Sequence, residues 1–191
     1  MRLLAWLLAP CLYGAGVELQ VQYTAIQKAM ARQMFGESGR MYVKGTPATR
    51  CSFAYLENPM LGEAEGRIEI RAHFNGKNAA SIFGRCIGFG DTFDMRIKAS
   101  PYYDAGLIRL KDVDVETAGR DSLYARKVRA AITENLSKRF EYKVADEARR
   151  ILERPQAGEP YKQQLQNFQV SQIRVTPAAL LLTIEFTLVV Q

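Results

Sequence analysis

Residues 67–74 read Arg-Ile-Glu-Ile-Arg-Ala-His-Phe, and every second side chain is apolar. Ile68, Ile70, Ala72 and Phe74 alternate with Arg67, Glu69, Arg71 and His73. A period of two places the first set on one face of a β-strand and the second on the other, so this is a strand with one buried face. The only histidine of the chain falls on the polar side, as an exposed strand residue. Downstream the pattern recurs. Phe93, Met95, Ile97 and Ala99 oppose Asp94, Arg96 and Lys98, and that strand runs out at Ser100-Pro101-Tyr102-Tyr103. Near the C-terminus Leu180, Leu182, Ile184, Phe186, Leu188 and Val190 share a face against Thr183, Glu185 and Thr187.

Working outward, residues 17–22 alternate. Thr24 can then cap a helix, its hydroxyl accepting from a free amide of the first turn. Ile26, Ala29, Met30 and Met34 recur at helical spacing, and Gly36 is a stop. Residues 40–45 and 48–56 read as strands, with Asn58-Pro59 and Gly62 marking a turn. Residues 76–90 read as an irregular glycine-rich connection. Gly84, Gly88 and Gly90 have neither the spacing of a dinucleotide fingerprint nor a following GK[ST]. Asp104-Ala105-Gly106 turns into a strand carrying Ile108, Leu110, Val113 and Val115. Its apolar parity shifts at Lys111-Asp112, which predicts a bulge.

The strongest helical signal starts at Asp121. Tyr124, Val128, Ile132, Leu136 and Phe140 lie four apart, a spacing that drifts about 40° per step on an α-helix. A break is therefore expected, and residues 140–144 alternate as a short extended segment. A second helix starts at Asp146 and ends before Pro155, residues 155–160 form a loop, and strand patterns resume at Phe168-Val170 and Ile173-Val175.

The N-terminus has the pattern of an export signal. Arg2 precedes a short apolar run from Leu3 to Ala9, then Pro10 and the small residues Gly14-Ala15-Gly16. The run is shorter than the roughly 20 apolar residues a membrane span needs. Residues 1–16 are thus read as a signal peptide and residues 17–191 as one domain; the competing reading makes the run a first buried strand or helix. Cys11 also stands where a bacterial lipoprotein carries its lipidated cysteine, although Pro10 departs from the small residue expected before it. The expected location is periplasmic or secreted.

About 175 residues remain after cleavage, enough for one sizeable core. A net charge of +6 over the 191 residues is mild and spread along the chain, so nucleic acid is not an expected partner. In an exported chain Cys51 and Cys86 suggest one disulfide, closing a loop of about 35 residues; two buried free thiols are the alternative. With no CxxC pair and one histidine, no metal site is expected.

The order is a helix, a meander of bent strands, a long amphipathic helix, a short extended segment and a closing pair of strands. Behind a signal peptide, it resembles one module of the tubular lipid-binding (TULIP) superfamily, specifically its small single-module bacterial periplasmic members related to YceB-type lipoproteins. The matching stretches are Ala99-Ser100-Pro101-Tyr102-Tyr103, Gly106-Leu107-Ile108-Arg109-Leu110-Lys111-Asp112-Val113, Phe140-Glu141-Tyr142-Lys143-Val144 and Ile173-Arg174-Val175-Thr176-Pro177-Ala178-Ala179-Leu180. The resemblance implies an α+β fold, a highly curved antiparallel sheet wrapped around a long amphipathic helix. It also implies an apolar groove between them that holds acyl chains.

The expected function is non-enzymatic binding, extending to transport, of lipid or another hydrophobic ligand in the bacterial cell envelope. Val128, Ile132 and Leu136 would face Phe93, Met95, Ile97, Leu182, Ile184 and Phe186 across the groove. The partner would be that hydrophobic molecule, with contact to a membrane surface; no cofactor is expected. The alternative is a structural or protein-interaction module of the envelope with a filled core. No nucleophile elbow or metal cluster points to an enzyme. Asp112 and Asp114 are close in sequence but make no site by themselves.

Overall fold

The computed structural model describes residues 16–117, 123–154 and 161–191. Its elements run β1 (Val17–Gln22), α1 (Tyr23–Met30), a π-helical turn (Ala31–Phe35), β2 (Arg40–Lys44), β3 (Ser52–Ala64), β4 (Arg67–Ile82), β5 (Arg85–Asp104), β6 (Leu107–Thr117), α2 (Leu123–Arg139), α3 (Val144–Leu152), β7 (Gln163–Val175) and β8 (Ala179–Val190). The signal-peptide reading, Cys11, the Asp121 cap and the loop at 155–160 lie outside the described residues.

The chain is an α+β protein built on a strongly curved antiparallel sheet. Five strands pair in the order β2-β3-β4-β5-β6, and a second sheet has the order β1-β8-β7. The five-stranded sheet curls so far that α2, packed on its edge strand β6, also touches the opposite edge strand β2. Bulges bend it, because an extra residue on one strand kinks that strand and adds twist. The bulge expected in β6 is present: Lys111 pairs with Ser100 but Asp114 pairs with Lys98, and Asp112 has a φ of 50°.

Two other bends differ from expectation. Asn58-Pro59 does not turn the chain. It sits inside β3 at a register shift between Glu57 and Met60, where a proline removes no ladder hydrogen bond. The turn comes later, at Glu65-Gly66, both with positive φ. Likewise β5 does not run out at Ser100 but pairs with β6 as far as Asp104.

Helix α1 starts at Tyr23, one residue before the expected cap. Gln22 is its N-cap and makes no side-chain bond, because β1 runs directly into the helix. The π-helical turn that follows buries the adjacent residues Met34 and Phe35 together, and Gly36 ends it at a φ of 57°. The expected break after Phe140 is real. Tyr142 bridges to Ile108 through N–H···O bonds of 2.8 and 2.9 Å in both directions. Helix α3 begins two residues before Asp146, which puts Asp146 and Glu147 in its first turn, where the helix dipole favours negative charge.

One buried cluster draws on the inner faces of β3–β6, on α1, α2 and β8. The outward exception is Glu69, a buried carboxylate on the other face of β4 that Arg71 Nε meets at 2.6 Å. On β8, Leu180, Leu182 and Ile184 are buried and Phe186 is half-buried, whereas Leu188 and Val190 of the same row are exposed.

Tyr23, in this cluster, donates from its hydroxyl to the Thr176 carbonyl at 2.6 Å. Burial first, and then the charge of Glu63, push its pKa above the ordinary 10.0. Burial does the same for Tyr142 beside Glu147 and for Tyr55 beside Glu57. A tyrosine whose folded pKa is raised binds its proton longer in the folded chain than in the unfolded one. Its contribution is full below about pH 10 and is lost as pH climbs through the raised value. Denaturant melts are therefore expected to show a loss of stability setting in above about pH 10, smaller in Tyr23→Phe than in the parent chain. Equal alkaline losses in the two would contradict the role given to Tyr23.

Candidate functional site

The nine side chains expected to line a groove are brought together. Met95 and Ile97 of β5, Val128, Ile132 and Leu136 of α2, and Leu182 and Ile184 of β8 are buried in the single cluster; Phe93 and Phe186 pack against it half-buried. On β5 these residues stand opposite β4 in continuous register, Ile97 against Ile70, Met95 against Ala72 and Phe93 against Phe74. The last pair is in ring contact, with centroids 4.7 Å apart.

The register then shows what pattern reading missed. Residues 76–90 are not an irregular connection; they continue β4 and β5 as a hairpin. Without a shift, the inner-face row runs on through Gly76↔Asp91, Asn78↔Phe89, Ala80↔Ile87 and Ile82↔Arg85. The third strand stops sooner, because β3 begins at Ser52 opposite Asn78. Beyond that point the last residues form a two-stranded ribbon, and the apolar row leaves its cover. Phe74 is wholly buried and Phe93 half-buried, but Phe89, Ile87 and Ile82 are exposed. Phe83, at the apex, is 100% exposed.

Two features build this tip. Phe83 and Gly84 form the two-residue turn, with φ of 49° and 75°. Such turns match the twist of the strands and favour Asn or Gly at both positions; a bulky Phe in the left-handed region is uncommon and costs about 1–3 kcal/mol. At Gly88 a Cβ would lie 2.3 Å from the Asn78 carbonyl oxygen, so the close approach of the two arms requires glycine. The signal was present as Ala80/Ile82 and Ile87/Phe89, each two apart, but the glycines hid it.

The expected disulfide is formed. Cys51, one residue before β3, bonds Cys86 on the ribbon, with Cα atoms 5.1 Å apart. It ties the overhanging ribbon to the start of its neighbour strand, and it fits the oxidising environment of an exported protein. Among the described residues no helix is long and apolar enough to cross a membrane.

Charge divides the molecule. The outer face of the sheet carries paired ions: His73 Nδ1 lies 2.8 Å from Asp94, and Lys98 lies 2.9 Å from Glu65 and 3.0 Å from Glu116. The Lys98 ammonium is held charged beyond its ordinary range by the hydrogen bonds it donates to Glu65 and Glu116. Around the tip the balance is one-sided. Residues 44–53 and 75–92 contain Lys44, Arg50, Lys77 and Arg85 against one acidic residue, Asp91, opposite Gly76. Lys44 Nζ donates to Asn78 Oδ1 at 3.2 Å, which places that cation at the base of the ribbon.

Among the described residues no group of three His, Cys, Asp or Glu side chains is placed to hold a metal ion. Compared with family models, curated proteins and solved structures, the chain shows no match in any of the three.

Proposed function

We propose that this protein binds lipid or another hydrophobic molecule, without catalysis, in the bacterial cell envelope. In this reading the chain is a single tubular lipid-binding module, exported by its N-terminal segment, with α2 as the helix that the curved sheet wraps. The observation that carries it is the inner face of β4 and β5, whose apolar side chains reappear past the cover at Phe89, Ile87 and Ile82, beyond Gly76, Asn78 and Asp91. An acyl chain reaching Phe93 from the tip would pass Ile82, Ile87 and Phe89, cross Asn78 and Asp91 at the base of the ribbon, and break no strand pairing on the way. Phe93 and Phe186, the two half-buried members of the nine, are the side chains that would swing aside. Each CH₂ moved from water into the cluster contributes about 0.8 kcal/mol, so even a short stretch of chain would offset some repacking.

Mass spectrometry of organic extracts of the native protein is expected to find a stoichiometric hydrophobic molecule. Delipidated protein is expected to take up a fluorescent fatty acid. The filled-core interaction module predicts neither, and protein that gives neither result is that alternative.

A further inference from the structure

We infer that the β4–β5 hairpin tip is a wedge that docks the protein on an anionic phospholipid bilayer. The inference rests on the lipid-binding reading for its purpose, since a carrier must meet the membrane that holds its cargo, but its physical argument is separate.

Phe83 and Ile82 at the apex, Ile87 next to them and Phe89 at the base are exposed apolar side chains of a ribbon that reaches roughly 13 Å past the start of β3, at about 3.3 Å for each of the residues 79–82. Contiguous apolar surface of this kind marks an interaction site. The apex residue adds a second sign. Phe83 holds a backbone conformation that suits Asn or Gly better, and in return it packs against nothing in this chain.

The cations decide the occupant. Arg85 stands opposite Ile82 at the apex, Arg50 adjoins Cys51, which is bonded to Cys86 one register pair lower, and Lys44 and Lys77 lie around the base. Exposed apolar side chains interspersed with four cations, against the one carboxylate of Asp91 at the base, match the surface of an anionic bilayer. The aromatic and branched side chains would enter the headgroup–acyl boundary, to about the 5–10 Å depth of interfacial segments. The long basic side chains would lie along the ribbon with their charges at the phosphates. The Cys51–Cys86 bond holds the ribbon in place before it meets the surface, so docking orders little of the chain.

The test uses the oxidised full chain with phosphatidylglycerol–phosphatidylcholine vesicles and with vesicles of phosphatidylcholine alone. The protein is expected to sediment with the anionic vesicles, less with the neutral ones, and less as salt rises. Phe83→Ser combined with Phe89→Ser is expected to weaken partition about tenfold or more. Arg85→Glu alone is expected to weaken it about tenfold on anionic vesicles only. Thermal melts should match the parent, since all three side chains are exposed. Absence of sedimentation with anionic vesicles, or sedimentation unchanged by these variants, overturns the inference. So does loss of crosslinking to one envelope protein in the double variant when the parent ignores vesicles, because the tip then serves a protein partner. Fatty-acid uptake measured on the same samples separates the two ideas. Uptake without vesicle docking removes only the wedge; vesicle docking without uptake removes only the ligand-binding reading.

Discussion

Replacing Phe74 by alanine is expected to lower the unfolding free energy by about 3–5 kcal/mol, the range for deleting a buried aromatic ring. Phe74 is fully buried, and it belongs to the cluster that holds β3–β6 against α1, α2 and β8. The loss has two parts, the transfer of the ring out of its apolar surroundings and the void left behind. The ring contact with Phe93 adds a share of its own, since paired aromatics contribute about 0.5–1.5 kcal/mol beyond area. Phe93 is half-buried and can turn toward the void, which would bring the result to the lower end of the range. The informative control is Phe89→Ala. Phe89 occupies the same inner-face row, four register pairs further along, and is exposed. Its truncation is expected to change stability by no more than about 0.5 kcal/mol. Denaturant midpoints of the two variants measure where the core cover ends. A Phe89→Ala loss as large as that of Phe74→Ala would mean the tip is packed, and the open-ended row would no longer support either functional proposal.

The contrast between Phe74 and Phe89 also marks how far the fold was legible in the sequence. Strict alternation at 67–74, 93–99 and 180–186 located three strands, because each has one face in the core and one outside. The parity shift at Lys111-Asp112 located the β6 bulge for the same reason: an inserted residue flips every later side chain. Alternation fails where neither face is covered. At 76–90 nothing distinguishes inside from outside, glycine stands at positions 76, 84, 88 and 90, and the hairpin reads as a connection although its backbone pairing is continuous. Asn58-Pro59 misled in the opposite direction, since turn-forming residues also serve bulges and local chemistry does not tell which. Of the candidate site, the nine apolar residues and the Cys51–Cys86 pair were visible as patterns. The exposed tip was not. It exists because β3 begins at Ser52 opposite Asn78, and such a pairing limit is a property of two distant segments that neither one encodes alone.

Removing the disulfide by Cys51→Ser with Cys86→Ser is expected to lower stability by about 3–4 kcal/mol, on the chain-entropy scale for a closed loop of this size. The residues are 35 apart in sequence, so the unfolded chain gains considerable freedom when the link is lost. The double variant is the right comparison, because a single substitution would leave a reactive free thiol. Locally the effect should be uneven. Ser81 and Cys86 pair with each other inside the ribbon, but beyond Asn78 the ribbon has no pairing to β3, and the disulfide spans that gap. Amide exchange is therefore expected to accelerate most at residues 79–89 and least at 68–74, where β4 is flanked by both neighbours in the centre of the core. Denaturant melts and hydrogen exchange of the parent and the double variant check both parts. Uniform acceleration along β4 would show that the link acts only through the unfolded chain. An unchanged midpoint would show that the pairing of the ribbon arms already restrains the tip. The membrane proposal depends on the uneven outcome. A tip loosened by loss of the link must be ordered at the bilayer, so the double variant should bind anionic vesicles more weakly than the oxidised parent even though every apolar and basic side chain of the wedge is retained.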